Sequence, residues 1–222
     1  MKGELKCSEL FERGHSAAEK LIFSCEYPWE ILPHIKDFIL EYGKTLDSEK
    51  YYSPSENVWI AKSAKVSPLA SISAPAVIGE NTEVRQCAFI RGSALVGDGC
   101  VIGNSTELKN CIISDSCQVP HFNYVGDSVL GYKSHMGAGS VTSNVKSDKT
   151  LVTIKSGDEK IETGLEKMGA ILGDFVEIGC NSVLNPGTVI GKHTNVYPLS
   201  SVRGAVPAYS IFKSGENIVK KQ

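Results

Sequence analysis

The 222-residue sequence predicts a mainly β protein, a parallel β-helix of hexapeptide repeats, from three observations. Every sixth residue from Ile60 to Leu108 is aliphatic: Ile60, Val66, Ile72, Ile78, Val84, Ile90, Val96, Ile102 and Leu108. Ile, Leu and Val make up roughly a fifth to a quarter of ordinary sequence, so such a run by chance has odds on the order of one in a million. The residue two places before each hit is small in nearly every case (Ala64, Ala70, Ala76, Thr82, Ala88, Ala94, Cys100, Thr106). Residues i and i−2 share a face only in an extended strand, which excludes a helix. The register then returns at Leu172, Ile178, Leu184, Ile190, Val196 and Val202, with Ala170, Ser182, Thr188, Thr194 and Ser200 two places earlier, so the interior is built twice to one plan.

Glycine often follows the aliphatic position, as at Gly79, Gly97, Gly103, Gly173, Gly179 and Gly191. Each hexapeptide forms one side of a triangular coil: the small residue turns the corner and the aliphatic fills the interior. Counting sides gives three regular coils in 58–110, about two less regular ones through Ile113, Val119, Val125, Leu130, Met136 and Thr142, and two more in 170–205. At roughly 4.8 Å per stacked strand, this is a prism about 30 Å tall.

Composition narrows the function classes. A net charge of −2, from 23 basic and 25 acidic residues, predicts no long-range attraction to nucleic acid or to anionic membranes. The seven cysteines are scattered without a C-x-x-C pair, so neither a disulfide framework nor a zinc site is expected. Cys87, Cys100, Cys111 and Cys117 fall in the coils as small residues. No apolar signal core opens the chain and no apolar run is long enough to span a membrane, so a cytoplasmic location is expected.

Residues 1–56 follow different rules. Ile31, Leu32, Ile35, Phe38, Ile39 and Tyr42 recur at helical spacing between Pro28 and Gly43, which suit a helix entrance and exit. This predicts a short N-terminal helical cap over the open end of the prism, hiding strand edges that would otherwise invite aggregation; a partner-binding helix is the alternative. The prism domain is expected over 57–206. Within it the repeat is lost over 143–169, where 150–155 and 160–163 flank a Ser156, Gly157, Asp158 turn and predict a hairpin leaving the prism. Residues 207–222 are expected to leave the prism through Pro207 as a solvated tail.

His121 is the residue on which chemistry centres. It follows Pro120 at a coil corner beside Phe122 and Tyr124, where an imidazole can accept a proton near neutral pH. Taken alone, such a histidine is more often a surface or hydrogen-bonded structural residue. Gly137, Ala138 and Gly139 form a strip of small residues whose backbone N–H groups can approach an oxyanion; a corner's need for glycine accounts for them equally well.

The stretch Q-V-P-H-F-N-Y-V-G-D-S-V-L-G-Y-K-S-H-M-G-A-G-S-V-T-S-N, from Gln118 to Asn144, resembles the acetyltransferase half of bifunctional UDP-N-acetylglucosamine pyrophosphorylase/glucosamine-1-phosphate N-acetyltransferase. The comparable family stretch also reads H-x-x-Y-x-G-D, then G, G-A-G and an Asn. The likeness runs from about residue 57 to 206, and the excursion L-V-T-I-K-S-G-D-E-K-I-E-T-G-L-E-K-M-G-A-I-L-G-D is closer to the archaeal form. The resemblance implies a left-handed prism, a homotrimer with sites between subunits, acetyl-CoA as co-substrate and an amino-sugar phosphate as acceptor, within UDP-N-acetylglucosamine or related synthesis.

Carried over residue by residue, the resemblance makes His121 the base that deprotonates the sugar amine and Ala138 the residue whose N–H steadies the oxyanion. Arg91 and Lys109 match basic residues that hold the sugar phosphate, types that suit a phosphate. Tyr124 and Asn144 match substrate-contacting positions, and Lys146 and Lys149 are placed for the phosphate or the CoA tail. Gly137, Ala138, Cys180 and Pro198 fall where the family's groove touches the CoA arm. His135 stands where bacterial members have Asn, and Val145 where they have Tyr, which puts His135 beside the sugar site as a competitor of His121. The family's nucleotidyltransferase half has no counterpart, so no uridylyl transfer is expected, leaving room for a separate nucleotidyltransferase as partner. Two other readings stay open: acetyl transfer to another amine (a serine, a nucleotide-linked amino sugar or a small amine), and a non-catalytic prism that assembles with a separate nucleotidyltransferase through the helix at 28–43. A metal hydrolase of the γ-class carbonic anhydrase type needs an H-x-x-x-x-H pair, which His15, His34, His121, His135 and His193 do not form, so no metal is expected.

Overall fold

A computed structural model describes residues 2–215 and 217–221. It is a left-handed parallel β-helix whose three sides are ladders of short strands. The first side stacks Val58–Ala61, Ala76–Ile78, Ala94–Val96, the second halves of Glu107–Ile113 and Tyr124–Leu130, then Ala170–Leu172, Thr188–Ile190 and Ala205–Val206. The second side runs from Lys65–Val66 through Val101–Asn104, Gln118–His121 and His135–Met136 to Ser210–Ser214. The third runs from Ser71–Ile72 through Phe89–Ile90 and the first halves of Glu107–Ile113 and Tyr124–Leu130 to Ser201–Val202. The coils skip 143–169 without a break in the ladder, since Leu130 pairs directly with Leu172.

The register explains the repeat. Ile60, Ile78, Val96, Ile113, Leu130, Leu172, Ile190 and Val206 stack at one inward position, all buried. The small inward residues do more than save space. Thr82 Oγ1 donates to the Gly97 carbonyl (2.7 Å) and Thr106 Oγ1 to the Val119 carbonyl (3.0 Å), so hydroxyls at the corners add hydrogen bonds between successive rungs. Cys100 and Cys117 take the same role with Sγ near the Ser114 and Gly131 carbonyls (3.1 and 2.9 Å). Burial pushes the Cys111 thiol up to about 12, which keeps it an inert small residue.

The structure corrects three expectations. The N-terminal segment does not cap the open end; it lies along the first side. The cause is a second apolar stripe, outside the prism: Val77, Leu95, Ile112, Val129, Ile171 and Val189 point outward from successive first-side strands and are buried under Leu10, Ile22, Ile31, Ile35 and Ile39. The expected helix is two pieces, a 3-10 segment Pro28–His34 and an α-helix Ile35–Gly43, because Pro33 supplies no N–H for a longer helix. Gly43 is required by packing as well as by helix exit: a Cβ there would sit 2.4 Å from the Trp59 ring.

The excursion is the second correction. Thr153–Ser156 and Glu159–Glu162 do pair as a hairpin, but it folds back onto the first side, where Val152, Ile154, Ile161 and Met168 join the same outer cluster. The third concerns the termini of the prism. Tyr51–Ser55, expected with the N-terminal segment, pairs antiparallel with the first rung, and Ser210–Ser214 continues the second side with Phe212 buried in the core. Asn217–Lys220 pairs back on that strand, so the segment expected as a solvated tail carries two paired strands, Ser210–Ser214 and Asn217–Lys220. These antiparallel strands, rather than the N-terminal helix, cover edges at the two ends.

Polar contacts fix the N-terminal segment to the prism. Asp174, almost fully buried, accepts the Glu12 N–H (2.6 Å) and the Tyr132 N–H (2.7 Å), and its own N–H donates to the Leu10 carbonyl. The His15 ring stacks on Tyr132 with centroids 3.8 Å apart. Burial pushes the Asp174 carboxyl up to about 6, against the pull of its two backbone donors and Lys192. The folded state therefore holds this proton more tightly than the unfolded chain, whose value is near 3.8. The stability it contributes is complete below that value and is lost as pH rises through about 6. Carboxyl-carbon NMR should find Asp174 titrating near 6, and Asp174→Asn should remove this part of the pH dependence.

The outer stripe has its own test. Ile112→Ala, on the outside of the prism, should cost about 2–4 kcal/mol in a urea denaturation experiment, as a core truncation does. A cost below about 0.5 kcal/mol is what a surface position would give.

Candidate active site

The corner between the second and third sides carries a column of residues at successive rungs: Asn104, His121, Ala138, Cys180 and Pro198. His121 pairs with Asn104, its carbonyl accepts the Gly139 N–H, and the Ala138 and Cys180 carbonyls accept from Asn181 and Leu199. Beside this column lies a shallow groove on the second side, lined by Pro120, His121, His135, Gly137, Ala138 and Cys180, with Arg85 at one end. The sequence-predicted residues His121, Ala138, Gly137, His135 and Cys180 therefore meet in one place, and Pro198 lies one rung beyond Cys180.

Local geometry presents two polar groups there. Phe122 takes a left-handed conformation (φ 53°) to turn the corner, leaving His121 exposed at its edge. The His121 imidazole makes no hydrogen bond among the described residues. One rung on, Gly139 also turns at positive φ, and the Ala138 N–H donates to no other group among the described residues. Gly137 admits no side chain because a Cβ would lie 2.7 Å from the Ile178 carbonyl and the Cys180 nitrogen. His135 is engaged differently: its Nδ1 lies 2.9 Å from Glu177 Oε2, so a carboxylate holds the ring that competes with His121.

Asn123 is a residue that sequence reasoning passed over. It is buried at a position where the repeat elsewhere has a small residue, and it clamps the two rungs together. Its Oδ1 accepts the His121 N–H (3.0 Å), and its Nδ2 donates to the carbonyls of Gly137 (2.8 Å) and Ser140 (3.0 Å). The signal was present as an Asn at an inward position that Ala, Ser, Thr and Cys mostly fill.

Around the corner, on the third side, stands a second group. Buried Asp127 accepts from Lys109 Nζ with both oxygens (3.1 and 3.0 Å), from Asn110 Nδ2 (2.9 Å) and from Asn144 Nδ2. Asn144 Nδ2 also reaches the Tyr124 hydroxyl (3.3 Å), and Arg91 pairs with Glu107 at 2.6 Å. Burial, reinforced by the Asp127 and Glu107 carboxylates, holds the Tyr124 phenol above its ordinary value, so it stays protonated. Asp127 was also missed. Its signal is spacing: Leu108 to Ile113 and Val125 to Leu130 are five residues apart, and the shortened corners fall on Asn110 and Asp127, both at φ 48°. Asn and Asp tolerate that conformation better than most residues.

Lys146 and Lys149 are not brought to this cluster. Lys146 bonds Thr150 and pairs with Asp148 at 3.5 Å, within its own turn, and Lys149 stands exposed on that turn. Among the described residues no group of His, Cys, Asp and Glu is arranged to hold a metal ion, and no helix is long and apolar enough to cross a membrane.

Fold and site define a class: a hexapeptide-repeat β-helix with a histidine corner. No protein-family model matches the chain. Among curated proteins, the chain is similar to the bifunctional protein GlmU of Methanococcus vannielii, 29% identical over 160 residues that cover 72% of this chain and 34% of that protein. It is 30% identical to GlmU of Methanococcus aeolicus over 153 residues, covering 68% and 33%. It is 33% identical to a bifunctional sugar-1-phosphate nucleotidylyltransferase/acetyltransferase of Sulfurisphaera tokodaii over 102 residues, covering 46% and 25%. The chain thus spans about a third or less of the length of the curated relatives it matches. Among solved structures it is similar to a hexapeptide transferase family protein from Anaplasma phagocytophilum, at a TM-score of 0.42 and 14% identity over 72% of this chain and 79% of that one. A GDP-perosamine N-acetyl transferase from Caulobacter crescentus gives 0.35 and 19%, over 73% and 56%. The resemblance read from the 118–144 motif is therefore one to GlmU-type bifunctional proteins, and it extends over most of this chain.

The third-side cluster yields a prediction. Asp127→Ala strips a buried acceptor from Lys109, Asn110 and Asn144 together, and should destabilise the fold by about 2 kcal/mol or more in denaturant titration.

Proposed function

We propose that this chain transfers an acetyl group from acetyl-CoA to the amine of an amino-sugar phosphate, with glucosamine-1-phosphate as the expected acceptor. The observation that carries the reading is the pairing, one rung apart at a single corner, of an uncommitted His121 imidazole with an uncommitted Ala138 N–H. A rung is about 4.8 Å, which leaves room for a thioester carbonyl between a base and an oxyanion donor. The likeness to proteins whose names include an acetyltransferase and GlmU supports the same chemistry.

In the proposed step the amine lone pair attacks the thioester carbonyl carbon while His121 takes an amine proton. The carbonyl oxygen gains charge against the Ala138 N–H. Collapse breaks the C–S bond, and coenzyme A leaves as a thiolate that recovers the proton from His121. No residue is acylated. The acetyl-CoA arm runs past Gly137, Ala138, Cys180 and Pro198, and Arg91, Lys109, Tyr124 and Asn144 meet the acceptor around the corner. Asn123 is a positioning residue that fixes the spacing of the His121 and Ala138 rungs.

The groove is shallow and has one wall in a single chain. Phe122 and Leu199, exposed at 63% and 79%, stand beside it as apolar surface. We infer a homotrimer in which a neighbouring prism supplies the second wall, as the GlmU resemblance implies.

With acetyl-CoA and glucosamine-1-phosphate, thiol release should depend on the sugar and fall by about 10²–10⁴-fold in His121→Ala. Near-normal turnover by that variant would remove His121 as the base. Failure of the wild type to bind acetyl-CoA would favour a non-catalytic assembly subunit, and binding without transfer would point to another amine acceptor.

A further inference from the structure

We propose that Asn110 is a positioning residue for the acceptor, through which the N-terminal segment sets the placement of Lys109, Asn144 and Tyr124; this rests on the acetyl-transfer reading above. Asn110 stands where the third side turns into the first, beside the strands that the N-terminal segment covers. Its Nδ2 carries two hydrogens and has two partners. One is Asp127 Oδ1 (2.9 Å), the other the Leu32 carbonyl in the segment Pro28–His34 (3.3 Å). A single amide thus ties the covering segment to a carboxylate buried in the prism.

That carboxylate is the hub of the acceptor residues. Asp127 accepts from Lys109 Nζ, from Asn110 and from Asn144 Nδ2, which reaches on to the Tyr124 hydroxyl. A lysine ammonium has three donors, and Asp127 takes at most two. At least one is left, on a side chain 28% exposed, to meet a phosphate oxygen. The Lys109–Asp127 pair carries no net charge, so what Asp127 supplies is place rather than attraction. A mobile lysine loses rotamer freedom on meeting a ligand, whereas one already held has little left to lose. The backbones of the cluster are fixed by the excursion: the Gly169 N–H donates to the Asp127 carbonyl (2.8 Å) and the Met168 N–H to the Asn144 carbonyl (3.0 Å). The side chain of Asp127 is what Asn110 orients. Without that amide the carboxylate loses a donor and its tie to the covering segment, and Lys109 and Asn144 shift with it.

The test compares wild type, Asn110→Gly, Asn110→Asp and Ile112→Ala. Asn110 turns at φ 48°, a conformation that Gly and Asp both adopt, so neither substitution strains the corner. In both Asn110 variants the KM for glucosamine-1-phosphate should rise about tenfold, with kcat and the KM for acetyl-CoA within about threefold. Ile112 packs in the same outer cluster as Leu32, so Ile112→Ala loosens the segment through apolar contacts alone. It should leave all three constants within about threefold despite its loss of stability. An unchanged acceptor KM in the Asn110 variants overturns the proposal, as does an equal rise in Ile112→Ala or one shared by acetyl-CoA. If neither Asn110 variant folds, hydrogen exchange of the wild type decides. Coupling is reciprocal, so glucosamine-1-phosphate should slow exchange of the amides within Pro28–His34 relative to those of Tyr51–Ser55, and no difference overturns the proposal. If the wild type shows no sugar-dependent thiol release, the acetyl-transfer reading has failed, and Asn110 is judged by calorimetric binding of glucosamine-1-phosphate. Binding that weakens about tenfold in Asn110→Gly but not in Ile112→Ala sustains it, and equal or absent binding overturns it.

Discussion

The structure depends on one constraint: each coil must place the same class of residue directly above its counterpart in the coil before. Rung-to-rung backbone hydrogen bonds are available only if the strands stay in register, and the interior accepts one large aliphatic and one small residue per side. A misplaced residue would therefore disturb the rungs on both sides of it. The two coils shortened by a residue show how the constraint is met when spacing fails: Asn110 and Asp127 turn tightly at positive φ, and Ile113 and Leu130 still land in the column.

What decides the location of the chemistry is a second stripe on the outside of the first side. Val77, Leu95, Ile112, Val129, Ile171 and Val189 must be covered, and the chain covers them with its own N-terminal segment and with the 153–162 hairpin. The second and third sides are left bare. Their shared corner is where a histidine and a free N–H stand, with the Asp127 cluster at the other end of the third side, all on the prism itself rather than on the excursion. Asn110 joins the two regions, since its Nδ2 reaches both Asp127 and the Leu32 carbonyl of the N-terminal segment.

Much of this was legible in the sequence, for a physical reason: a solenoid writes its interior into the chain at a fixed period, so Ile60 through Leu108 announce the coils without any knowledge of distant contacts. The placement of His121 beside Ala138 followed from the same period. The outer stripe was equally periodic, every seventeen or eighteen residues apart from the 143–169 excursion, but it appears on only one side in three and is masked by the stronger inner signal. That is why the N-terminal helix was expected over the end and the hairpin in solvent. Asn123 and Asp127 were harder, because their roles depend on partners in other rungs. Lys146, two residues after Asn144, turns instead to partners of its own loop, Thr150 and Asp148.

Charge is used sparingly in this molecule. Most cations around the site are already matched, Lys109 by Asp127 and Arg91 by Glu107, so recognition of a phosphorylated acceptor would draw on the donors these pairs leave free, while His121 and Ala138 stand uncommitted. The most direct test of the account is a crystal structure with bound acetyl-CoA. The account predicts the thioester carbonyl oxygen about 3 Å from the Ala138 nitrogen, with the carbonyl carbon open toward His121 and the arm passing Cys180. A thioester bound elsewhere on the prism, or turned so that His121 faces the adenine end, would contradict it.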